Sequence, residues 1–184
     1  MKIFQSELPK DSVLQIKGTT YDYQDAFQCA VNDKNDKLAP ADVCNAFFSS
    51  APKWVKRLFT LRNKIVGVLG LKTDGENNDN ESVIRTLKCE PGDRIGLFKV
   101  FEKNQNEVII GEDDKHLDFR VSLYLRQSVT IPGVKDLTIS TTVVFHNRLG
   151  RLYFVPVKPF HKLIVPTMLK GIVRELEEKA ERMR

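Results

Sequence analysis

Two stretches of this chain alternate so regularly that few architectures can hold them. In the first, Leu117, Phe119, Val121, Leu123 and Leu125 alternate with His116, Asp118, Arg120, Ser122, Tyr124 and Arg126. In the second, Leu137, Ile139, Val143 and Phe145 alternate with Asp136, Thr138, Ser140, Thr142 and His146, and Val144 is the exception. A period of two marks strands with one apolar face, and the turn signal Pro132-Gly133 between them makes a long hairpin. All the apolar positions are odd-numbered, so residues opposed on one face must have numbers that add to an even total. A two-residue turn at Pro132-Gly133 would instead oppose Ile131 to Val134, turning every apolar side chain toward the wrong face. Many side chains at roughly 1.5–3 kcal/mol each outweigh one turn preference. The hairpin should therefore carry a β-bulge near its turn or a loop with an odd number of residues. Leu117 should then oppose Phe145, His116 oppose His146, and Arg126 oppose Asp136. Alternation alone leaves the polar face in water.

Other strands surround this pair. From Thr20 to Val31, Tyr21, Tyr23, Phe27, Cys29 and Val31 share one parity, as a half-buried strand requires. Asp25 breaks the rule by placing a carboxylate among them. Arg94 to Glu102 reads as one strand, with Ile95, Leu97 and Phe101 on one face and Phe98 and Val100 on the other. Val108 to Gly111 pairs with it through the turn Lys103 to Asn106. Ser82 to Lys88 suggests another short strand, after an acidic, Asn-rich loop from Thr73 to Glu81 that is expected to be mobile.

Helical spacing takes over in two places. Pro40 suits a first helical turn, and Val43, Cys44, Phe47 and Phe48 follow at helical intervals. After Pro52, Trp54, Leu58, Leu61, Ile65 and Leu69 form a second apolar stripe, with Lys53, Lys56, Arg57, Thr60 and Lys64 outside it. That basic face is either simply solvated or a weak contact for anionic lipid headgroups. The last helix is expected to open at Lys158-Pro159, with Phe160, Leu163, Ile164, Met168, Ile172 and Leu176 along its buried face and Val165, Leu169 and Val173 widening it. Pro166 lies inside it and should kink it. Gly150 reads as a turn residue before this helix.

With 184 residues, 41% of them hydrophobic, the chain is expected to be a single domain spanning 1–184 with a core of its own. Cys29, Cys44 and Cys89 form no CxxC pair, which fits reduced thiols in the cytoplasm. The first residues contain no apolar core of signal-peptide length, and the longest apolar run, Ile65 to Leu71, is far below the roughly 20 residues of a membrane span. A net charge of +5 is too mild to argue for nucleic acid. No GxGxxG, GxSxG or spaced Cys/His motif is present, so no cofactor and no metal are expected.

Helices segregated from an unbroken antiparallel run imply an α+β fold: a curved antiparallel sheet wrapped on a long C-terminal helix, with two short helices after the first strand. This is the element order of the helix-grip fold, and the chain resembles the Bet v 1-like, START and polyketide-cyclase superfamily. At finer grain it resembles an uncharacterised bacterial family, domain of unknown function 2867, through Asp25-Ala26-Phe27, Ala51 to Val55, Gly92 to Phe98, Gly111 to Leu123 and His146 to Pro166. The resemblance implies a fold and no chemistry.

Three groups of residues are candidates for chemistry. His161 shares a helical face with Ile164, Val165 and Met168, either as a core histidine bonded to a backbone carbonyl or as a polar group inside an apolar pocket. Asp25 is either turned outward by a bulge, paired with an arginine, or a general base held inside. Asp114, His116, Asp118 and His146 share a sheet face and suggest a metal only weakly, since that face is expected to be wet. The leading expectation is a module that binds a small hydrophobic or amphipathic molecule between sheet and helix, lined by Phe98, Phe119, Phe145, Tyr153, Phe160 and Met168. The alternative is an enzyme of cyclase, hydratase or isomerase type with Asp25 and His161 as acid and base. It requires the two side chains to meet at one cavity.

Overall fold

The computed structural model describes residues 1–15, 18–55, 57 and 88–182. Among these, seven strands form one antiparallel sheet: β1 (Phe4–Ser6), β2 (Tyr23–Asn32), β3 (Arg94–Ile95), β4 (Phe98–Lys103), β5 (Glu107–Asp113), β6 (Leu117–Gln127) and β7 (Val134–Phe145). Their spatial order is β1-β2-β7-β6-β5-β4-β3. Helix α1 (Pro40–Ser49) and the long C-terminal helix α2 (Arg148–Arg182) pack on each other, and α2 also lies against β2 and β7. A long helix held on an open antiparallel sheet is the helix-grip arrangement.

The hairpin register follows the apolar pattern. Leu117 opposes Phe145 and Arg126 opposes Asp136 in β6 and β7. The Ser128 N–H closes the connection by donating to the Val134 carbonyl at 2.9 Å, which leaves an odd-numbered loop, 129–133. Odd-numbered side chains of β2, β6 and β7 meet α1 and α2 in the main core, where Leu123, Leu137, Ile139, Leu169, Ile172 and Leu176 are almost fully buried.

The opposite face is not wet. Ser122, Tyr124, Thr138, Ser140 and Thr142 are all buried. Leu8, Leu14 and Val13 of the N-terminal segment pack there against Ala26, Ile109 and Phe101. Glu107, fully buried, ties the segment down: its carboxylate accepts from Ser12 Oγ at 2.9 Å, Ser122 Oγ at 2.6 Å and the Val13 N–H at 2.5 Å. Strand β1, which the sequence pattern does not reveal, extends the sheet edge beside β2.

Two expectations about element limits change. The strand expected over Arg94 to Glu102 is a tight hairpin, because Gly96 takes φ +56° and folds β4 back on β3, with Ile95 opposite Phe98. A bulge then interrupts the β4–β5 pairing between Val100 and Glu102. Helix α2 begins ten residues before Lys158 and contains Pro156, Pro159 and Pro166. Asn147 caps it: its Oδ1 accepts from the Leu149 and Gly150 N–H groups at 3.1 Å each. The carbonyls of Leu152, Val155 and Lys162, which lose their helical donors to the three prolines, belong to exposed residues. Gly150 is therefore a helical residue, not a turn, and its buried position abuts the His116 carbonyl. The expected helix face is also corrected. Phe160 and Leu163 point outward, while Val165, Met168, Leu169, Ile172, Val173 and Leu176 carry the burial.

Most of the expected second helix, with Leu58, Leu61, Ile65 and Leu69 and the outer-face positions Lys56, Thr60 and Lys64, lies outside the described residues. So do the loop Thr73 to Glu81 and nearly all of the strand expected from Ser82. Trp54, at the described start of that segment, is 37% exposed.

Candidate active site

Asp25 sits near the start of β2, where the ladder to β7 runs without a bulge from Tyr23 to Asn32. Its parity therefore turns the carboxylate toward α2, and the residue is buried. The partner is neither an arginine nor a bulge-exposed solvent shell. Oδ1 lies 3.1 Å from His161 Nε2, and Oδ2 accepts a 2.5 Å hydrogen bond from the Tyr23 hydroxyl. A residue in β2 and one in the last helix, 136 positions apart, are thus joined directly.

Tyr23 belongs to this group by the same parity as Asp25, two residues away. Its ring meets His161 edge-on, with centroids 6.0 Å apart, and packs on Phe154 at 4.8 Å. Burial first, then the hydrogen bond to Asp25 and that carboxylate's charge, pushes the Tyr23 phenol well above its usual range. It stays protonated and acts as a donor. Across the ladder, Thr141 opposes Asp25, and its buried hydroxyl has no hydrogen-bond partner among the described residues.

An open cleft of about 550 Å³ lies at this end of β2. Gln5, Thr19, Thr20, Tyr21, Asp22, Tyr23, Gln24 and Asp25 line one side, and Lys158 and Lys162 of α2 the other. Asp22 is occupied elsewhere, accepting from the Phe145 N–H at 2.7 Å and from Arg151 at 3.1 Å. Lys158 lies 5.4 Å from the centre of the Tyr23 ring. Lys162 has no ion-pair partner among the described residues. The His161 side chain, between these lysines in sequence, is 17% exposed, and that of Asp25 is 3% exposed. Asp25 and two lysines thus line one concave surface, and the His161 imidazole stands behind it, in contact with Asp25 but not among the lining residues.

The expected lining residues divide among three places. Phe98 and Phe119 meet edge-to-face at 5.7 Å, and Phe98 also touches Phe47 and Phe48 at the α1 end. Phe145 and Tyr153 join the cluster around Tyr23 and Phe154, next to Asp25. Phe160 is exposed, and Met168 is buried in the main core. Of the weak metal cluster, His146 Nε2 lies 3.0 Å from Asp118, while the His116 ring meets Asn147. No group of three or more His, Cys, Asp or Glu residues is placed to hold a metal ion among the described residues.

Tyr23, Lys158 and Lys162 are the site residues that sequence reasoning missed. The signal for Tyr23 was its shared parity with Asp25. For the lysines it was their i, i+4 spacing around His161, which a helix puts on one side.

Residues 18–168 match the sequence profile of a family described as protein of unknown function (DUF2867). The matched region runs from just before β2 to Met168 and so contains every residue of the cleft except Gln5. A comparison with curated proteins returns no match. The chain belongs to the DUF2867 family.

Proposed function

We propose that the protein is an acid–base enzyme, of cyclase, hydratase or isomerase type, acting on a small amphipathic molecule that carries a carboxylate or phosphate. The observation that carries this reading is the contact between His161 and Asp25 at 3.1 Å, Asp25 being one of the residues that line an open cleft. Asp25 presents a carboxylate to the cleft. Tyr23 holds one of its oxygens and His161 the other, so a proton taken from substrate by Asp25 has the imidazole as its neighbour for return or release. Lys158 and Lys162 supply positive charge at the mouth, which fits an anionic group on the substrate. The Tyr23 ring, backed by Phe154, offers an apolar surface for the rest of it.

The same reading relates the chain to the Bet v 1-like, START and polyketide-cyclase superfamily, supported by the shared order of strand, helix, antiparallel run and long terminal helix. Three buried cysteines in no disulfide fit a reducing, cytoplasmic setting.

The test is exchange of carbon-bound hydrogen with heavy water, followed by NMR, over a panel of small carbonyl-containing carboxylates. Wild-type protein should catalyse exchange in at least one of them. Asp25→Asn and His161→Gln should each slow it by about 10²–10⁴-fold, and Lys162→Ala should mainly raise KM. Exchange that survives Asp25→Asn, or none across the panel, sinks the proposal.

A second reading, storage or transport of an apolar molecule, draws on one observation. Phe48, Phe98 and Phe119 meet edge-to-face yet remain only partly buried beside α1. Native mass spectrometry of freshly purified protein would show a bound small molecule if this face holds one.

A further inference from the structure

The outer face of the first half of α2 is apolar, and no element among the described residues covers it. Leu149, Leu152, Val155, Phe160 and Leu163 are 51–69% exposed. Pro156 and Pro159 lie between them and are exposed as well. These positions recur at helical spacing, so they form a stripe directed away from the sheet. Single exposed apolar residues need no explanation, but a contiguous stripe marks an interaction surface.

The charges beside the stripe say what kind of surface it meets. No Asp or Glu occurs between Asp136 and Glu175. Arg148, Arg151, Lys158 and Lys162 all lie within the stripe's span, and all four are exposed. Among the described residues, only Arg151 has an ion-pair partner, Asp22. A second copy of the chain docking through the same stripe would set these cations against their own equivalents. A protein partner with a purely apolar face would leave them unmatched. A bilayer with anionic headgroups satisfies both features at once, taking the apolar side chains into its interface and the cations at its phosphates. No helix among the described residues is long and apolar enough to cross a membrane, so this contact lies on the surface.

We propose that α2 docks the protein on an anionic lipid surface through Leu149, Leu152, Val155, Phe160 and Leu163, with Arg148, Lys158 and Lys162 at the headgroups. This surface differs from the basic face of the second helix suggested by the sequence. It shares Lys158 and Lys162 with the cleft, but Arg148, Leu152 and Leu163 lie outside the cleft lining, so variants at these three test the lipid contact separately from the acid–base reading.

The experiment is co-sedimentation of the full chain with phosphatidylcholine vesicles, with and without about one-third phosphatidylserine. Wild-type protein should sediment with the anionic vesicles and hardly with the neutral ones, and added salt should weaken the binding. Arg148→Gln should weaken it about five-fold, the effect of one basic residue near such a surface. The double substitution Leu152→Ser with Leu163→Ser should weaken it roughly ten-fold or more. Both changes are at exposed positions, so circular dichroism and thermal unfolding should remain as in wild type. Equal sedimentation with the two vesicle types, or undiminished binding by the double variant, would overturn the proposal. So would a dimer in analytical ultracentrifugation that the double variant abolishes, since the stripe would then belong to a second copy.

Discussion

Gly150 shows how a single residue can be set by backbone contact alone. A Cβ there would lie 2.1 Å from the His116 carbonyl oxygen, and the obstacle is backbone, so the first turn of α2 or the start of β6 would have to move. Gly150→Ala should lower stability by about 1–3 kcal/mol in denaturant titration, although alanine is the better helix former. A gain in stability would mean that the helix start is not pressed on the sheet.

Asp33 is a second residue with a definite expectation. Burial by itself raises its carboxyl pKa, but the Leu38 N–H at 2.9 Å, the Lys37 N–H at 3.1 Å and the Lys135 ammonium at 3.1 Å together outweigh burial and hold it below its ordinary value. A group depressed on folding contributes stability above its unfolded pKa, about 3.9 for aspartate, and loses that contribution as pH falls through the folded value. Wild-type stability should therefore decline below about pH 4. Asp33→Asn should flatten that decline and cost about 3–5 kcal/mol near neutrality, because the largely buried Lys135 loses its most enclosed partner. Thermal unfolding across pH 2.5 to 7, as an approximate range chosen around the aspartate pKa, measures both effects.

Among the elements, α2 carries two functions along one length. Its second half fills the core, and Leu169 and Ile172 are fully buried there. Leu169→Asp or Ile172→Asp should each destabilise by several kcal/mol, on the order of 3–5, since a charge would replace an apolar side chain with no partner. Unchanged melting temperatures would show that α2 does not dock as described. Its first half touches the sheet through Gly150, Phe154 and His161 and leaves the other side bare. The apolar periodicity of this half was visible in sequence, but periodicity does not say which side of a helix meets a neighbour. Three prolines also obscured where the helix begins, since each is an ordinary stop signal. The Asn147 cap was the clue to the true start.

On the scale of the whole molecule, the N-terminal segment turns a one-sided sheet into a covered one. Glu107 is the fastening, and its carboxylate accepts three hydrogen bonds from Ser12, Val13 and Ser122. Glu107→Ala would leave those donors without partners in a buried place. It should cost about 3 kcal/mol or more. Residues 7–15 should also lose amide protection in hydrogen exchange before the core does. Protection lost uniformly over the chain would contradict this role.

The sequence by itself determined the hairpin register, the α+β order of elements and the parity of Asp25 with its apolar neighbours, while the unbulged ladder to β7 decided that Asp25 faces inward. All three follow from local periodicity: the pleat fixes which side chains share a face, and a slip of one residue would expose a whole apolar row. It also singled out Asp25 and His161 separately, as polar residues on apolar faces. Only the tertiary structure decided that they touch, because 136 residues separate them and no local rule links their faces. Likewise, the burial of Ser122, Ser140 and Thr142 depends on a segment whose apolar residues, Leu8, Val13 and Leu14, show no strand or helix period. Periodicity reports what one element presents to its surroundings. Which other part of the chain fills those surroundings is settled by packing alone.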